Sequence, residues 1–213
     1  MQNKELKKRI IDISYRHKLS HLGSCLTAVD IIDEIFAIKK SDEKFVLSSG
    51  HAGLALYCVI EKYTDYYKDI HAPTAEDIFE HHGVHPDRCN QCHIDCSTGS
   101  LGQGLPISCG MALGNREANV YCLVSDGEMS EGSIWEALQI KRTQRLNNLH
   151  IYCNFNGWGA YRQINWSELL DYKHFGIKFV FADLQQLPFL KGQDAHYKVM
   201  NEEEYRQAME ILR

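Results

Sequence analysis

The sequence lacks any run of apolar residues long enough to span a bilayer, and it lacks a marked excess of charge of either sign. Lys and Arg total 23 against 28 Asp and Glu, which gives a net charge of −5 over 213 residues. Composition therefore gives no support for nucleic-acid binding. The amino-terminal segment alternates charged residues with Leu6, Ile10 and Ile13, which is helical spacing and not the uninterrupted apolar core of a signal peptide. These absences predict a cytoplasmic protein that binds neither membranes nor nucleic acid.

A disulfide framework is also not indicated, although the chain has eight cysteines. At this length, with 44% apolar residues, residues 1–213 can bury a sizeable core as a single domain without such a framework. Cys58, Cys109, Cys122 and Cys153 sit among apolar residues, where cysteine behaves as a small hydrophobic residue.

The central part of the chain predicts a strand, a helix and a second strand. Residues 120–124 form a continuous β-prone run, the pattern turns helical from Glu131, and residues 149–153 form another buried strand. A strand–helix–strand unit implies parallel pairing with the helix on one face of the sheet. We therefore expect an α/β fold with a mostly parallel sheet flanked by helices.

The preceding residues predict helices and one further strand. Thr27 and Asp30 have the spacing of a capping box and predict a helix start just after them. Residues 44–48 predict a short strand and residues 52–63 a buried helix. Residues 71–100 show no sustained period and predict a long loop, which in a compact domain is usually disordered or functional.

Short polar side chains follow both central strands at their carboxyl ends. Asp126 follows the first and Asn156 the second, and ligands of parallel sheets bind at this edge. A carboxylate and a carboxamide oxygen suit Mg²⁺, and Gly127 lets the backbone approach a phosphate closely. The alternative is that Asp126 caps a helix and Asn156 forms a turn. Spacing alone does not decide between these interpretations.

Two segments of the sequence together form a recognisable motif: residues 125–137 read S-D-G-E-M-S-E-G-S-I-W-E-A, and residues 154–156 read N-F-N. They resemble the thiamine diphosphate motif of transketolases, which is G-D-G and then D-x-N. Further segments resemble the family's motifs in the family's order: S-H-L-G-S at 20–24, L-S-S-G-H-A at 47–52, H-P at 85–86 and T-G-S-L-G-Q-G at 98–104. Residues 1–165 contain this match. Ser125 and Asn154 depart from the family's Gly and Asp.

The resemblance implies a transketolase fold with a bound cofactor and metal. Asp126, Asn156 and the carbonyl of Trp158 would hold Mg²⁺, and Gly127 would lie against the diphosphate of thiamine diphosphate. The remaining cofactor-site residues implied in this way are Gly99, Leu101, Glu128 and Glu131. Glu131 would lie near a dimer axis, although a favourable charge at a helix N-terminus explains it equally well.

Histidines are the implied proton carriers and hydrogen-bond donors. His21, His51 and His85 lie on Gly- or Pro-flanked segments at family positions, and imidazole titrates near neutrality. His196, after Lys191-Gly192, would be a fourth histidine of the cofactor pocket. Residues 166–213 are shorter than the family's corresponding region, a deletion that could remove one strand and loosen the diphosphate pocket.

The implied activity is transfer of a two-carbon ketol unit between sugars or sugar phosphates. The resemblance covers only the diphosphate-holding module, so a separate C-terminal subunit would supply the pyrimidine-binding module in a heterotetramer. This chain alone is expected to be inactive and to form a homodimer through this module. Two alternatives remain: half of another thiamine-dependent synthase, and a degenerate, non-catalytic scaffold or regulatory protein.

A second cluster is not explained by the cofactor motif. Cys89-x-x-Cys92-His93-x-x-Cys96 lies near His81, His82 and His85, and its spacing suits zinc. It is a single cluster without a second pair at the usual separation, and the resemblance places it in a variable loop. Zinc therefore remains a secondary interpretation.

Overall fold

A computed structural model describes residues 3–66, 73–182, 187–192 and 194–213. The helices are α1 (Lys4–Arg16), α2 (Leu22–Ile38), α3 (Gly53–Tyr66), α4 (Ala75–His82), α5 (Gly104–Gly114), α6 (Gly132–Thr143), α7 (Asp194–Tyr197) and α8 (Glu202–Ile211). Short 3₁₀ segments cover Gly50–Ala52, Gly127–Ser130 and Trp166–Phe175. Among the described residues, no helix is both long and apolar enough to cross a membrane.

Four parallel strands form the sheet, and they lie side by side in chain order. They are β1 (Lys44–Leu47), β2 (Val120–Ser125), β3 (Leu149–Phe155) and β4 (Ile177–Phe181). Because all four point the same way, the loops that follow them meet at one edge of the sheet. The expected α/β architecture is confirmed.

Side chains alternate between two apolar layers, one on each face of the sheet. Leu47, Leu123 and Tyr152 point into the layer covered by α1, α2, α3 and α8. Val46 and Cys122 point into the opposite layer, which contains residues of α5, α6 and the 3₁₀ segment Trp166–Phe175. Both faces of β2 are buried along its whole length, which explains why its sequence is a continuous apolar run.

The three expected strands are present, each within two residues of its predicted end. The helix start predicted at Thr27 is wrong, because α2 begins at Leu22 and the Thr27 hydroxyl donates to the carbonyl of Ser24 inside the helix. The predicted loop 71–100 contains α4, which begins with a capping box of Thr74 and Asp77. Residues 67–72 lie outside the described part.

The carboxyl-terminal region contains a strand that the sequence analysis did not identify. β4 pairs with β3 over five residues and extends the sheet. Residues 187–192 and α7 then return to the site, where the amide of His21 donates to the carbonyl of His196 at 2.9 Å. This contact fixes α7 against the start of α2.

Candidate functional site

A cavity of about 180 Å³ lies at the carboxyl edge of the sheet, where β1, β2 and β3 end. It is lined by residues from each of these strand ends and from the loops beside them, including His21, His51, His85, Gly99, Leu101, Gly127, Asn156, Trp158 and His196. Nine residues predicted from the sequence therefore surround one space, although they are spread over most of the chain.

Asp126 joins the tips of β2 and β3 beneath this cavity. Its side chain is fully buried. Oδ1 accepts from the amide of Gly127 at 2.9 Å, and Oδ2 accepts from the amides of Asn156 at 3.1 Å and Gly157 at 2.7 Å. The carboxylate is thus fixed against the backbone of the segment that carries Asn156 and Trp158.

The ionised form of Asp126 is energetically unfavourable in this buried position. Burial raises its pKa to about 6, although its three backbone hydrogen bonds act in the opposite direction. Keeping this group ionised at pH 7 costs roughly 3 kcal/mol. The buried charge and the hard oxygen donors fit a Mg²⁺ ion.

Asn156 and Trp158 continue the same turn on the cavity wall. The amide of Trp158 donates to Asn156 Oδ1 at 2.9 Å, which holds the carboxamide beside the turn. Gly127 and Gly159 approach closely, since a Cβ atom added to Gly127 would lie 3.1 Å from the Gly159 Cα atom. A side chain at residue 127 would therefore press against the backbone of Gly159 at the cavity wall.

Glu128 lies behind the cavity, fully buried. Oε1 accepts from the Ser48 hydroxyl at 2.6 Å and the Gly102 amide at 2.9 Å, and Oε2 accepts from the amide and hydroxyl of Ser125. Glu128 therefore joins β1, β2 and the loop before α5. A direct contact between Glu128 and the cofactor remains a prediction.

Three histidine rings form a cluster on one side of the cavity. The ring centroid of His21 lies 5.2 Å from that of His51 and 4.6 Å from that of His196, and the centroids of His51 and His196 are 5.3 Å apart. Within the described part of the chain, Nδ1 of His21 is buried without a hydrogen-bond partner. That nitrogen is available to a ligand.

These imidazoles are neutral at pH 7. Burial, together with the nearby imidazoles, lowers the pKa of His21 to about 4 and that of His51 to about 3, and burial lowers the pKa of His196. Each ring therefore offers one N–H donor and one acceptor. The sequence analysis expected proton carriers titrating near neutrality, whereas all three rings titrate below it.

His85, Gly99 and Leu101 form the wall contributed by the loop between α4 and α5. A Cβ atom added to Gly99 would lie 3.3 Å from the His85 ring, so glycine lets this ring pack closely against the backbone. Glu131 lies outside the cavity lining and is the N-cap residue of α6. Its proposed place near a dimer axis remains a prediction.

A larger cavity of about 670 Å³ opens beside the first. The two share Ser24, Asn156, Trp158 and His196, and the larger one is also lined by Lys191 and Gly192. Together they form a cleft with a polar, glycine-rich end at the strand tips.

Residues 11–159 match the family model described as "Transketolase, thiamine diphosphate binding domain". The chain belongs to the transketolase family. Human transketolase is 35% identical over 154 residues, which cover 65% of this chain and 24% of that protein. The chain thus spans about a quarter of the curated transketolases that it matches.

A relative of subunit size is also found among transketolases. One subunit of the apulose-4-phosphate transketolase of Phocaeicola vulgatus is 28% identical over 163 residues, covering 70% of this chain and 57% of that polypeptide. The fold also matches a transketolase mutant from Pichia stipitis at a TM-score of 0.67 and 22% identity, over 81% of this chain and 30% of that one. Transketolase from Leishmania mexicana matches at a TM-score of 0.60 and 18% sequence identity, over 98% of this chain and 33% of that chain.

The sequence analysis missed the polar residues that support the cavity. Asn154 Nδ2 donates to Thr27 Oγ1 at 2.8 Å, while Asn154 Oδ1 is buried and unpartnered among the described residues. Ser24 and Ser49 also line the cavity. Ser24 and Ser49 lie close to motif residues in the sequence, which is the pattern that could have indicated them. Serine is too common at helix and strand ends, however, to be singled out on that basis.

Proposed function

We propose that this chain binds thiamine diphosphate together with Mg²⁺ and forms the diphosphate-holding part of a transketolase. The enzyme would transfer a two-carbon ketol unit between sugars or sugar phosphates. A second polypeptide would supply the pyrimidine-binding module. When bound, thiamine diphosphate supplies the carbon nucleophile and the electron sink that this chemistry needs.

The observation that carries the proposal is the position of Asp126. A fully buried carboxylate accepts backbone amides from two adjacent strand ends beside a cavity lined by Asn156 and Gly127. Such a charge is expensive without a cation. Asp126 is also the N-cap residue of the 3₁₀ segment Gly127–Ser130, and Asn156 Oδ1 forms a turn by accepting from the Trp158 amide, as the capping alternative expects. The complete burial of the Asp126 charge is the feature that a cap does not need and that a bound cation would compensate.

The other residues of the site have separate tasks. Asn156 and the carbonyl of Trp158 would complete the protein ligands of the ion. His21, His51 and His196 would hydrogen-bond the diphosphate and the sugar hydroxyls, and His85 with Gly99 and Leu101 would hold the ring end of the cofactor. As neutral donors in a buried cluster, the histidines can bind an anion and then gain a proton as its negative charge raises their pKa.

Self-association through this module is part of the proposal. Leu113, Trp135 and Ile140, which belong to α5 and α6, are between 38% and 41% exposed. Large exposed apolar side chains on neighbouring helices are typical of interaction surfaces. We expect a homodimer, with the pyrimidine-binding subunit completing a heterotetramer.

Asp126→Asn provides the test, because it removes the charge and keeps the size of the side chain. Isothermal titration calorimetry with thiamine diphosphate, and with inorganic diphosphate as a minimal ligand, should show binding in Mg²⁺ and none in EDTA for the wild type. In the variant the affinity should fall at least about 100-fold, as expected for loss of a charged ligand to the ion. Asp42→Asn is the matched control because Asp42 is exposed.

Two outcomes would contradict the proposal. One is binding that is equal in EDTA and Mg²⁺, and the other is unchanged affinity in a folded Asp126→Asn variant. A folded wild-type chain that binds neither ligand, even with a pyrimidine-binding subunit present, would favour a non-catalytic scaffold. Analysis of products from ketose donors would separate a transketolase from half of another thiamine-dependent synthase.

A further inference from the structure

Three potential metal ligands converge away from the cofactor cavity, at the end of α4. The ligand atoms of His82, Cys89 and Cys92 all lie within 4.8 Å of one another. The two sulfur atoms are 2.8 Å apart, and His82 Nε2 is 3.5 Å from Cys92 Sγ. Cys92 is buried, while Cys89 and His82 are partly exposed, so an ion has a route from solvent.

The backbone presents both sulfur atoms on one side of a tight hairpin. Cys89 and Ile94 exchange two amide–carbonyl hydrogen bonds of 2.9 Å, and His93 adopts a left-handed conformation with φ of 55° that reverses the chain. The amide of Cys92 donates to Cys89 Sγ at 3.2 Å. This hydrogen bond holds Cys89 Sγ on the same side of the hairpin as Cys92.

We propose that Cys89, Cys92 and His82 bind one Zn²⁺ ion. Two thiolates and one imidazole are a ligand set that zinc prefers, with the fourth tetrahedral position open to solvent. Binding deprotonates both thiols, and the two protons pass to the solvent. Around one ion the sulfur atoms lie about 3.8 Å apart, so they separate by about 1 Å, a movement that side-chain torsions allow.

The set of ligands differs from the one that the sequence pattern indicated. Cys96 is directed away from the cluster: its Sγ contacts the carbonyl of Ser97, and the residue packs in the apolar layer that includes Cys122. His85 faces the cofactor cavity. The third ligand is His82, which α4 brings next to the hairpin, and α4 was not identified from the sequence.

An ion at this position would fix the loop that forms one wall of the cofactor cavity. Beyond the hairpin, the amide of Arg88 donates to Ser97 Oγ at 2.7 Å, and the amide of Thr98 donates to the carbonyl of Pro86 at 3.0 Å. These bonds connect the proposed zinc site to His85 and Gly99. Zinc would therefore join this wall to α4.

The test uses the untagged chain purified under reducing conditions. Metal analysis by mass spectrometry should find about one zinc ion per chain, and Co²⁺ substitution should give the thiolate charge-transfer and visible bands of a tetrahedral site. Cys89→Ser, Cys92→Ser and His82→Ala should each lose most of the metal. Cys96→Ser and His93→Asn are the matched controls from the same loop and should keep it.

Because a variant of buried Cys92 can fail to fold, chelation of the wild type gives an independent measurement. Removing zinc should lower the Tm by several degrees, and Zn²⁺ but not Mg²⁺ should restore it. The proposal is overturned if the reduced wild type binds neither Zn²⁺ nor Co²⁺, or if His82→Ala and the controls bind equally. Isolation of the chain under anaerobic conditions with a Cys89–Cys92 disulfide would also overturn it. Diphosphate binding is measured separately, so the two proposals can fail independently.

Discussion

Burial acts in opposite directions on the acid and the bases of the site. It raises the pKa of Asp126 to about 6, so the contribution of this residue to stability is full below its unfolded pKa and is lost as pH rises through about 6. It lowers the pKa of His51 to about 3, so the contribution of His51 is full above its unfolded pKa of about 6.5 and is lost as pH falls below that value.

His51→Gln should therefore make the protein less sensitive to acid. Between pH 7 and pH 5 the unfolded wild type takes up a proton at His51 that the folded state excludes, which costs about 2 kcal/mol of unfolding free energy. The variant has no such group and should lose less stability by about that amount. Urea unfolding at pH 7, 6 and 5 measures the difference.

His174→Gln is the control for this comparison, because His174 is exposed. Its stability should follow that of the wild type at each pH. Parallel profiles for the wild type and His51→Gln would mean that His51 is hydrated in the folded protein, and the buried histidine cluster would then be wrong.

At the scale of elements, the contact between α5 and β1 is what places the loop of residues 98–104 at the site. A Cβ atom added to Gly104 would lie 2.6 Å from the Cα atom of Ser48, which is too close for any residue but glycine. Ser48 also accepts from the Gly104 amide and donates to Glu128. Displacement of α5 would thus disturb the buried hydrogen bonds of Glu128.

Gly104→Ala should destabilise the protein by at least about 2 kcal/mol, the usual cost of forcing atoms into a packed interior. Gly110→Ala in the same helix is the matched variant, since a Cβ atom there meets nothing within 4 Å. It should stabilise the protein by up to about 1 kcal/mol through helix propensity. Chemical unfolding followed by circular dichroism measures both, and equal effects would contradict the close contact.

The central strands were predicted because the sheet buries them on both sides. β2 is buried at every position and β3 at five of its seven, so each contains a β-prone run that is mostly apolar. β1 lies at one edge of the sheet, but three of its four residues are buried and apolar, and it too was predicted. β4 is an edge strand with exposed Lys178 and Phe181, so its pattern is weaker. Thr27 shows the opposite error, since capping-box spacing occurs by chance inside a helix.

The residues of the candidate site could be proposed from the sequence because they belong to short motifs, and their roles remain predictions. His51 lies beside Gly50 and Asp126 between the end of β2 and Gly127, whereas His21 precedes α2. His21, His51 and Gly127 line one cavity. The contacts that support them join residues remote in sequence, as in the hydrogen bond from Asn154 to Thr27. Such pairs depend on how α2 packs against β3, which local patterns do not encode.

At the scale of the whole molecule, the buried glutamates of the described residues are held by hydrogen bonds inside the protein. Two glutamates are buried in this part of the chain, Glu43 and Glu128. Glu43 is bound by the Lys40 amide, Asn119 and Tyr121, and Glu128 is bound by Ser48, Gly102 and Ser125. Both carboxylates therefore have structural partners, and the proposed second polypeptide would supply the remaining contacts to the cofactor.

We therefore expect the purified chain to show negligible ketol transfer, and activity to appear when a polypeptide with a pyrimidine-binding module is added. The physical reason is that the proposed site would hold the diphosphate of the cofactor, while the aminopyrimidine would be held by the second module. Co-expression with the product of a neighbouring gene, light scattering of the complex and a ketose–aldose assay measure assembly and activity together.

In the same complex, Asp126→Asn should assemble and remain inactive, because the pyrimidine end would still dock while the diphosphate would lack its ion. Appreciable transfer by the chain alone would contradict the split arrangement, and an active Asp126→Asn complex would contradict the metal site.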